Sequence, residues 1–293
     1  MPSSRREIAL LTNPTAGQGR GARARAAVIG RFRDAGLSVR DLVGRDADEA
    51  LDLAHAAVAD GVESLVVCGG DGMAHLAVQA LAGTDTALGV IPAGTGNDVG
   101  RLLDLPGRDF AAAADRVIAG RTHTLDLARS GGKYFLTVMA AGFDAVVNER
   151  ANRMTWPRGQ MRYNLATLAE LRVFEPIAYT LEIDGLVHHT DAMLVAVGNG
   201  PSFGGGLRIA EGALADDGML DVVIITPLSK PALVRAYPKL FRGTHTALPQ
   251  YVHHRARTVT IAAHGIVAYA DGERFGALPL TVECVPGALR ALA

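Results

Sequence analysis

The feature that most limits what this chain can fold into is a pattern that occurs three times in the first hundred residues. A short apolar run ends in a cluster of Gly, Asn and Asp, and a helix-forming stretch follows. Ile8–Leu11 leads into Thr12-Asn13-Pro14-Thr15-Ala16-Gly17-Gln18-Gly19-Arg20, Ser64–Cys68 into Gly69-Gly70-Asp71-Gly72, and Ala87–Ile91 into Pro92-Ala93-Gly94-Thr95-Gly96-Asn97-Asp98. With a further strand-like run at Ser38–Val43 and helical stretches at Ala22–Ala35, Ala47–Ala59 and Ala74–Ala82, the alternation predicts a parallel sheet with helices on both faces. Such sheets bind ligands beyond the carboxyl ends of their strands. Glycines there let backbone approach a ligand, and the N–H groups of a following helix favour an anion. The first of these loops alone reads equally well as an ordinary strand-to-helix turn, whereas a plain turn rarely needs the three glycines of Gly69–Gly72. Three such loops on one sheet edge indicate a nucleotide.

From about Leu125 the texture changes to strand-like runs separated by turn residues: Tyr134–Met139, Ala178–Ile183, Ala192–Val197, Leu220–Ile225, Thr258–Ala263, Ile266–Tyr269 and Leu280–Val285. Helical stretches interrupt them at Arg162–Val173 and Pro231–Phe241. The reading is a doubly wound α/β domain over 1–125 and an antiparallel β-rich domain over 126–286, with 287–293 packing back on the first, and a cleft between them. Lys plus Arg number 29 against 30 Asp plus Glu, so no net charge draws the molecule to nucleic acid. Cys68 and Cys284, each in an apolar run, fit buried thiols in a reducing cytoplasm. No run reaches membrane-spanning length, and Met1–Asn13 is not a signal peptide.

These loops resemble the diacylglycerol kinase catalytic domain family, which includes bacterial lipid kinases and is related to sphingosine and ceramide kinases. The likeness extends through Ala141-Gly142-Phe143-Asp144, Gly198-Asn199-Gly200, Gly204-Gly205-Gly206, Ala213–Asp221 and Asp271-Gly272-Glu273, nearly the whole chain. It implies an ATP-binding domain joined to a C-terminal β-sandwich that takes the lipid. It places Asn13, Pro14, Thr15, Ala16, Gly17, then Gly69, Gly70, Asp71, Gly72, Met73, Ala74, His75, and Gly94, Thr95, Asn97 and Asp98 around the nucleotide. Met73 stands where the family usually has threonine, and Arg40-Asp41-Leu42 lacks a threonine that many bacterial members set against the nucleotide.

Phosphoryl transfer works by positioning and charge neutralisation, so it needs carboxylates for Mg²⁺ and one to take the acceptor's proton. Asp71 is the first choice for the ion. Asp271-Gly272-Glu273 by itself reads as a hairpin turn. The resemblance makes Glu273 the general base, with Asp271 a partner or alternative. It also implies a structural Mg²⁺ at Asp217 with the main chain of Leu214 and Met219.

Between Thr226 and Ala270 six Lys or Arg face no Asp or Glu, and Leu233, Val234, Tyr237, Leu240 and Phe241 share one helical face. This predicts transient contact of 230–242 with an anionic membrane, the competing reading being a core-facing helix with a solvated outer side. The basic stretch 150–163, with Trp156, invites the same two readings. The expectation is therefore an ATP-dependent lipid kinase acting on diacylglycerol in phospholipid synthesis, cytoplasmic and peripherally membrane-associated, with exposed sheet edges that allow a homodimer. An NAD kinase-like enzyme and a non-catalytic nucleotide- or lipid-binding protein on the same fold are the alternatives.

Overall fold

The computed structural model describes residues 6–13, 16–107, 109–156, 165–166, 169 and 175–293. Pro14 and Thr15 of the first loop, most of the stretch expected to be helical at 162–173, and 157–163 of the second basic stretch lie outside them.

In chain order the first half comprises β1 (Glu7–Thr12), α1 (Ala16–Asp34), β2 (Ser38–Leu42), α2 (Ala47–Ala59), β3 (Ser64–Gly69), α3 (Asp71–Leu81), β4 (Ala87–Pro92), α4 (Asp98–Leu102) and α5 (Phe110–Ala119). Strands β2, β1, β3 and β4 pair in parallel in that order. Their continuous apolar runs are what a sheet covered on both faces requires. Ile8, Leu10, Val66, Cys68 and Ile91 meet α1 and α5 through Ala24, Val28, Phe32, Ala113 and Val117. The alternate residues Ala9, Leu11, Leu65, Val67, Leu88 and Val90 meet α2 and α3 through Ala50, Ala54, Ala57, Ala74, Ala77 and Val78. The helix starts are set by side chains: Asp46 accepts from the Glu49 amide, and Asp109 from Ala111 and Ala112.

The second half adds β5 (Thr122–Ser130), β6 (Lys133–Phe135), β7 (Val138–Gly142), α6 (Phe143–Arg153), β8 (Ile177–Ile183), β9 (Leu186–Ala192), β10 (Leu194–Gly198), β11 (Leu220–Ile225), α7 (Lys230–Leu240), β12 (Tyr251–Ala256), β13 (Thr258–Ala262), β14 (Val267–Ala270), β15 (Glu273–Ala277) and β16 (Leu280–Leu292). The run expected as one strand over 134–139 is split, because Leu136 and Thr137 turn their amides to a buried carboxylate instead of a ladder. A six-stranded sheet, β12-β11-β10-β7-β14-β15, lies against the far end of the first sheet. Between them Met139, Ala141, Val195, Val197 and Val222 pack on Tyr179, Leu181, Val259, Ile261 and Val282, which makes a β-sandwich.

One strand joins the layers. β16 pairs with β13 at Leu280–Glu283, runs antiparallel to β5, and by Ala291 lies parallel to Leu88 of β4, so parallel strands and half of the sandwich form one ten-stranded sheet. Among the described residues no helix is long and apolar enough to cross a membrane.

Candidate functional site

The loops after β3 and β4 run side by side at the carboxyl edge of the sheet. Gly70 and Gly94 pass so closely that a methyl group on Gly94 would stand well inside van der Waals contact distance of the Gly70 Cα. Asn97 closes its own loop: its backbone is left-handed, its Oδ1 accepts from the Gly94 amide at 2.9 Å, and its Nδ2 donates to the Gly94 carbonyl at 3.1 Å. Asp98 is buried and fully engaged. It accepts from the Ser202 hydroxyl at 3.0 Å, the Gly205 amide at 2.6 Å, the Gly206 amide at 2.8 Å and Arg101 at 3.1 Å. Asn97 and Asp98, expected at the nucleotide, thus shape and join loops from both halves of the chain.

Asp71 opens α3 and accepts the Val99 amide at 3.0 Å. Burial, then Asp98 and Asp271, push its carboxyl up to about 6, against the bonds from the Val99 and Asn97 amides. Among the described residues no Lys, Arg or His forms an ion pair with it. A hard cation would relieve that charge, and a carboxylate beside phosphates is a fit donor for Mg²⁺.

Asp271, also buried, accepts the Leu136 amide at 3.0 Å, the Thr137 amide at 2.8 Å, the Thr137 hydroxyl at 2.6 Å and His75 Nδ1 at 3.0 Å. Burial alone would raise its pKa, but the bonds from His75, Thr137 and Leu136 together hold it below the usual carboxylate value. Glu273, two residues on, is exposed and reaches back over the phosphate loop: a methyl group on Gly72 would stand 2.5 Å from its Oε1. Asn13 ends β1, and Ala16 and Gly17 lie in the first turn of α1. Met73 packs over Gly69 with its side chain, so no hydroxyl is offered there. Where the threonine was missed, Asp41 at the end of β2 forms an ion pair with Arg25 of α1.

At the turn 214–219 the Asp217 carboxylate accepts the Met219 amide at 3.1 Å and pairs with Arg255 of β12. Asp126, which the sequence reading passed over, fastens the same turn. Its carboxylate takes the Gly218 amide at 2.6 Å and the Gly287 amide at 2.8 Å, and its own amide donates to the Ala215 carbonyl at 2.6 Å. A lone acid inside the apolar run Leu125–Ala128 was the available signal.

Two cavities meet at this edge. One, of about 660 Å³, is lined by Arg23, Gly94, Thr95, Gly96, Arg101 and Phe110 among others. The other, of about 700 Å³, has Asp71, Asp98, Asp271 and Gly272 at one end. The rest of it is mainly apolar, with Phe143 and Val147 of α6, Leu194, and Leu233, Tyr237 and Leu240 of α7, beside His245 and Thr137. Thr95 and Gly96 line both. The apolar face of α7 therefore covers a cavity, a use that its sequence did not specify. Arg23, Arg101 and the walls from α6 were likewise not foreseen, since nothing local marks them.

Residues 7–130 match the family model of the diacylglycerol kinase catalytic domain, and 137–293 that of the YegS C-terminal NAD kinase beta sandwich-like domain. A diacylglycerol kinase of Mycobacterium tuberculosis is 44% identical over 292 residues, covering 98% of this chain and 94% of the relative. One of Bacillus subtilis is 28% identical over 274 residues, covering 92% and 90%. The crystal structure of a diacylglycerol kinase from Bacillus anthracis superposes with a TM-score of 0.81 at 25% identity over 99% of this chain and 98% of that one. An NAD kinase of Archaeoglobus fulgidus in complex with ATP shares the fold at a TM-score of 0.54 and 12% identity over 98% of this chain and 93% of that one.

Proposed function

Because the chain belongs to the diacylglycerol kinase family and is thus a kinase with an alcohol acceptor, we propose that it transfers the γ-phosphoryl group of ATP to a lipid hydroxyl, that of diacylglycerol first, to give phosphatidic acid. The observation that carries this reading is the wall formed by Thr95 and Gly96, shared by a glycine-lined cavity that bears Arg23 and Arg101 and a mainly apolar one with Asp71, Asp98 and Asp271 at one end. Phosphates on the loops Gly69–Gly72 and Gly94–Gly96, and an acyl chain among Phe143, Leu194, Leu233 and Leu240, bring the terminal phosphoryl and the hydroxyl together at that wall. An apolar cavity of this kind suits a hydrocarbon chain better than the dinucleotide that an NAD kinase must hold.

Glu273 is the group assigned to take the hydroxyl proton. It is exposed and stands against Gly72, whereas both oxygens of Asp271 are already filled by four donors and its depressed pKa makes it a poor base. Mg²⁺ at Asp71 would neutralise charge on the transferring phosphoryl group. The turn at Leu214, Asp217 and Met219 fits an ion less well, since Arg255 already neutralises its one carboxylate, and no step of transfer is assigned to it. Lys230, Arg235, Lys239 and Arg242 on and after α7, with Val234 54% and Phe241 45% exposed, support transient contact with the anionic inner face of the membrane. Arg150, Arg153 and the exposed Trp156 extend that surface.

The test is transfer of labelled γ-phosphate from ATP·Mg²⁺ to a panel of lipid alcohols in mixed micelles, with NAD as a competing acceptor. A labelled lipid that disappears in Glu273→Gln supports the reading. Labelling of NAD alone, or of nothing, would overturn it.

A further inference from the structure

The hairpin that carries Glu273 pairs with β7 at Tyr269 and Ala270, and its turn is hydrogen-bonded to α3 at a single residue. Ala270 pairs with Glu273, and the two residues between them, Asp271 and Gly272, both have positive φ, 51° and 86°. That is the tight two-residue turn favoured by Asp-Gly, which fixes where Glu273 leaves the sheet. Only one side of the turn is solvated: Gly272 is exposed. Its aspartate is buried and receives two amides and a hydroxyl from Leu136 and Thr137, on the segment between β6 and β7. The fourth donor comes from elsewhere: His75, one turn into the helix that begins with Asp71, donates from Nδ1 at 3.0 Å. The His75 ring is largely enclosed, edge-on to Phe275 of β15 at 6.3 Å. Its backbone carbonyl accepts from Gln79 Nε2, which also donates to the Tyr134 carbonyl. The helix carrying the phosphate loop and the hairpin carrying the base are thus joined, 196 positions apart in sequence, through one imidazole–carboxylate bond.

We propose that His75 and Asp271 are positioning residues whose bond sets the distance of Glu273 from the phosphate loop. The proposal rests on the assignment of Glu273 as base. His75 touches neither substrate in this role. It holds α3 and the β14–β15 turn in register, and Asp271 converts that register into the place where the Glu273 carboxylate stands against Gly72. A group that acts in this way matters only while Glu273 is there to be positioned. This separates positioning from a general loss of structure.

The test is a double-mutant cycle read in kcat, with KM for ATP measured alongside. His75→Ala in the otherwise native chain is expected to lower kcat on the order of 10- to 100-fold, as loss of alignment does, with KM for ATP little changed. In a Glu273→Gln background, followed by single turnovers at high enzyme concentration, the same substitution is expected to cost less than about threefold, because coupled sites are not additive. His75→Asn, which places an amide nitrogen at the same δ position, is expected to restore kcat to within about threefold of native. Glu273→Asp replaces Glu273→Gln if turnover of the latter is undetectable, and His75→Leu repeats the cycle if alanine leaves the chain unfolded. Equal losses in both backgrounds, or failure of His75→Asn to restore turnover, would overturn the proposal. An undiminished kcat in Glu273→Gln would instead remove the assignment of the base, a distinguishable result.

Discussion

Asp71 sits where a carboxylate is least comfortable without a cation, and this gives a residue-scale prediction. Its folded-state value of about 6 lies above the ordinary 3.8, so its ionisation costs stability in full above about pH 6, and that cost fades as the pH falls toward 3.8. Asp71→Asn should therefore raise thermal stability at pH 7.5, by on the order of 2 kcal/mol, with a smaller gain at pH 5, while abolishing transfer. Melting curves at the two pH values and a transfer assay check it. Gly72→Ala makes a second separation. Alanine favours a helix, and the only clash is with the end of the Glu273 side chain. Melting should stay within about 3 °C of native, while kcat falls at least tenfold. A drop in both would mean that the backbone, not Glu273, is displaced. The sequence named four acids, Asp71, Asp98, Asp271 and Glu273, and the structure brings them to one edge. It did not show what each does, because, Arg101 apart, Asp98 and Asp271 are defined by donors 104 to 196 positions away, and no local pattern records such partners.

At the scale of elements, strands carrying an apolar run or a clear apolar alternation were legible, and those dominated by polar side chains were not. Ile8–Leu11 and Ser64–Cys68 marked β1 and β3, since a strand covered on both sides must be apolar throughout. β9, Leu-Val-His-His-Thr-Asp-Ala, and β12, Tyr-Val-His-His-Arg-Ala, went unrecognised because few of their side chains enter the core. For α7 the apolar face was legible in the sequence, but only the fold shows that this face roofs a cavity. Reversing Lys239 and Arg242 to Glu together should lower transfer on vesicles containing anionic phospholipid severalfold. Activity on a short-chain diacylglycerol below its micellar concentration should not change, and equal losses on both would place the effect in the cavity. At the turn 214–219, the Arg255–Asp217 pair leads us to expect the same melting temperature, within about 2 °C, in EDTA and in millimolar Mg²⁺ without nucleotide. In Arg255→Ala the melting temperature should fall and then recover with Mg²⁺. A Mg²⁺-dependent rise in the native chain that Asp217→Asn removes would show instead that the ion holds the turn.

For the whole molecule, the shared strand decides how it unfolds. β16 contributes Val282 to the sandwich core, and Leu289 and Ala291 to the core of the parallel sheet. Neither layer can lose it and stay closed, so calorimetry should record one cooperative transition rather than two. Two resolved peaks would mean that β16 detaches from one layer first.

The same strand bears on synthesis. Asp85 and Arg290, joined by a hydrogen bond at the meeting of β4 and β16, are 205 positions apart. At ribosomal speed that is roughly 10–40 s of waiting. During that interval the flank of β4 lacks its permanent neighbour, and the nucleotide-binding half remains an unfinished sheet that a holdase or a neighbouring nascent chain can reach. A chain stalled before codon 287 would hold the phosphate loop on a sheet whose closing neighbour, Ala291 beside Leu88, has not yet been made.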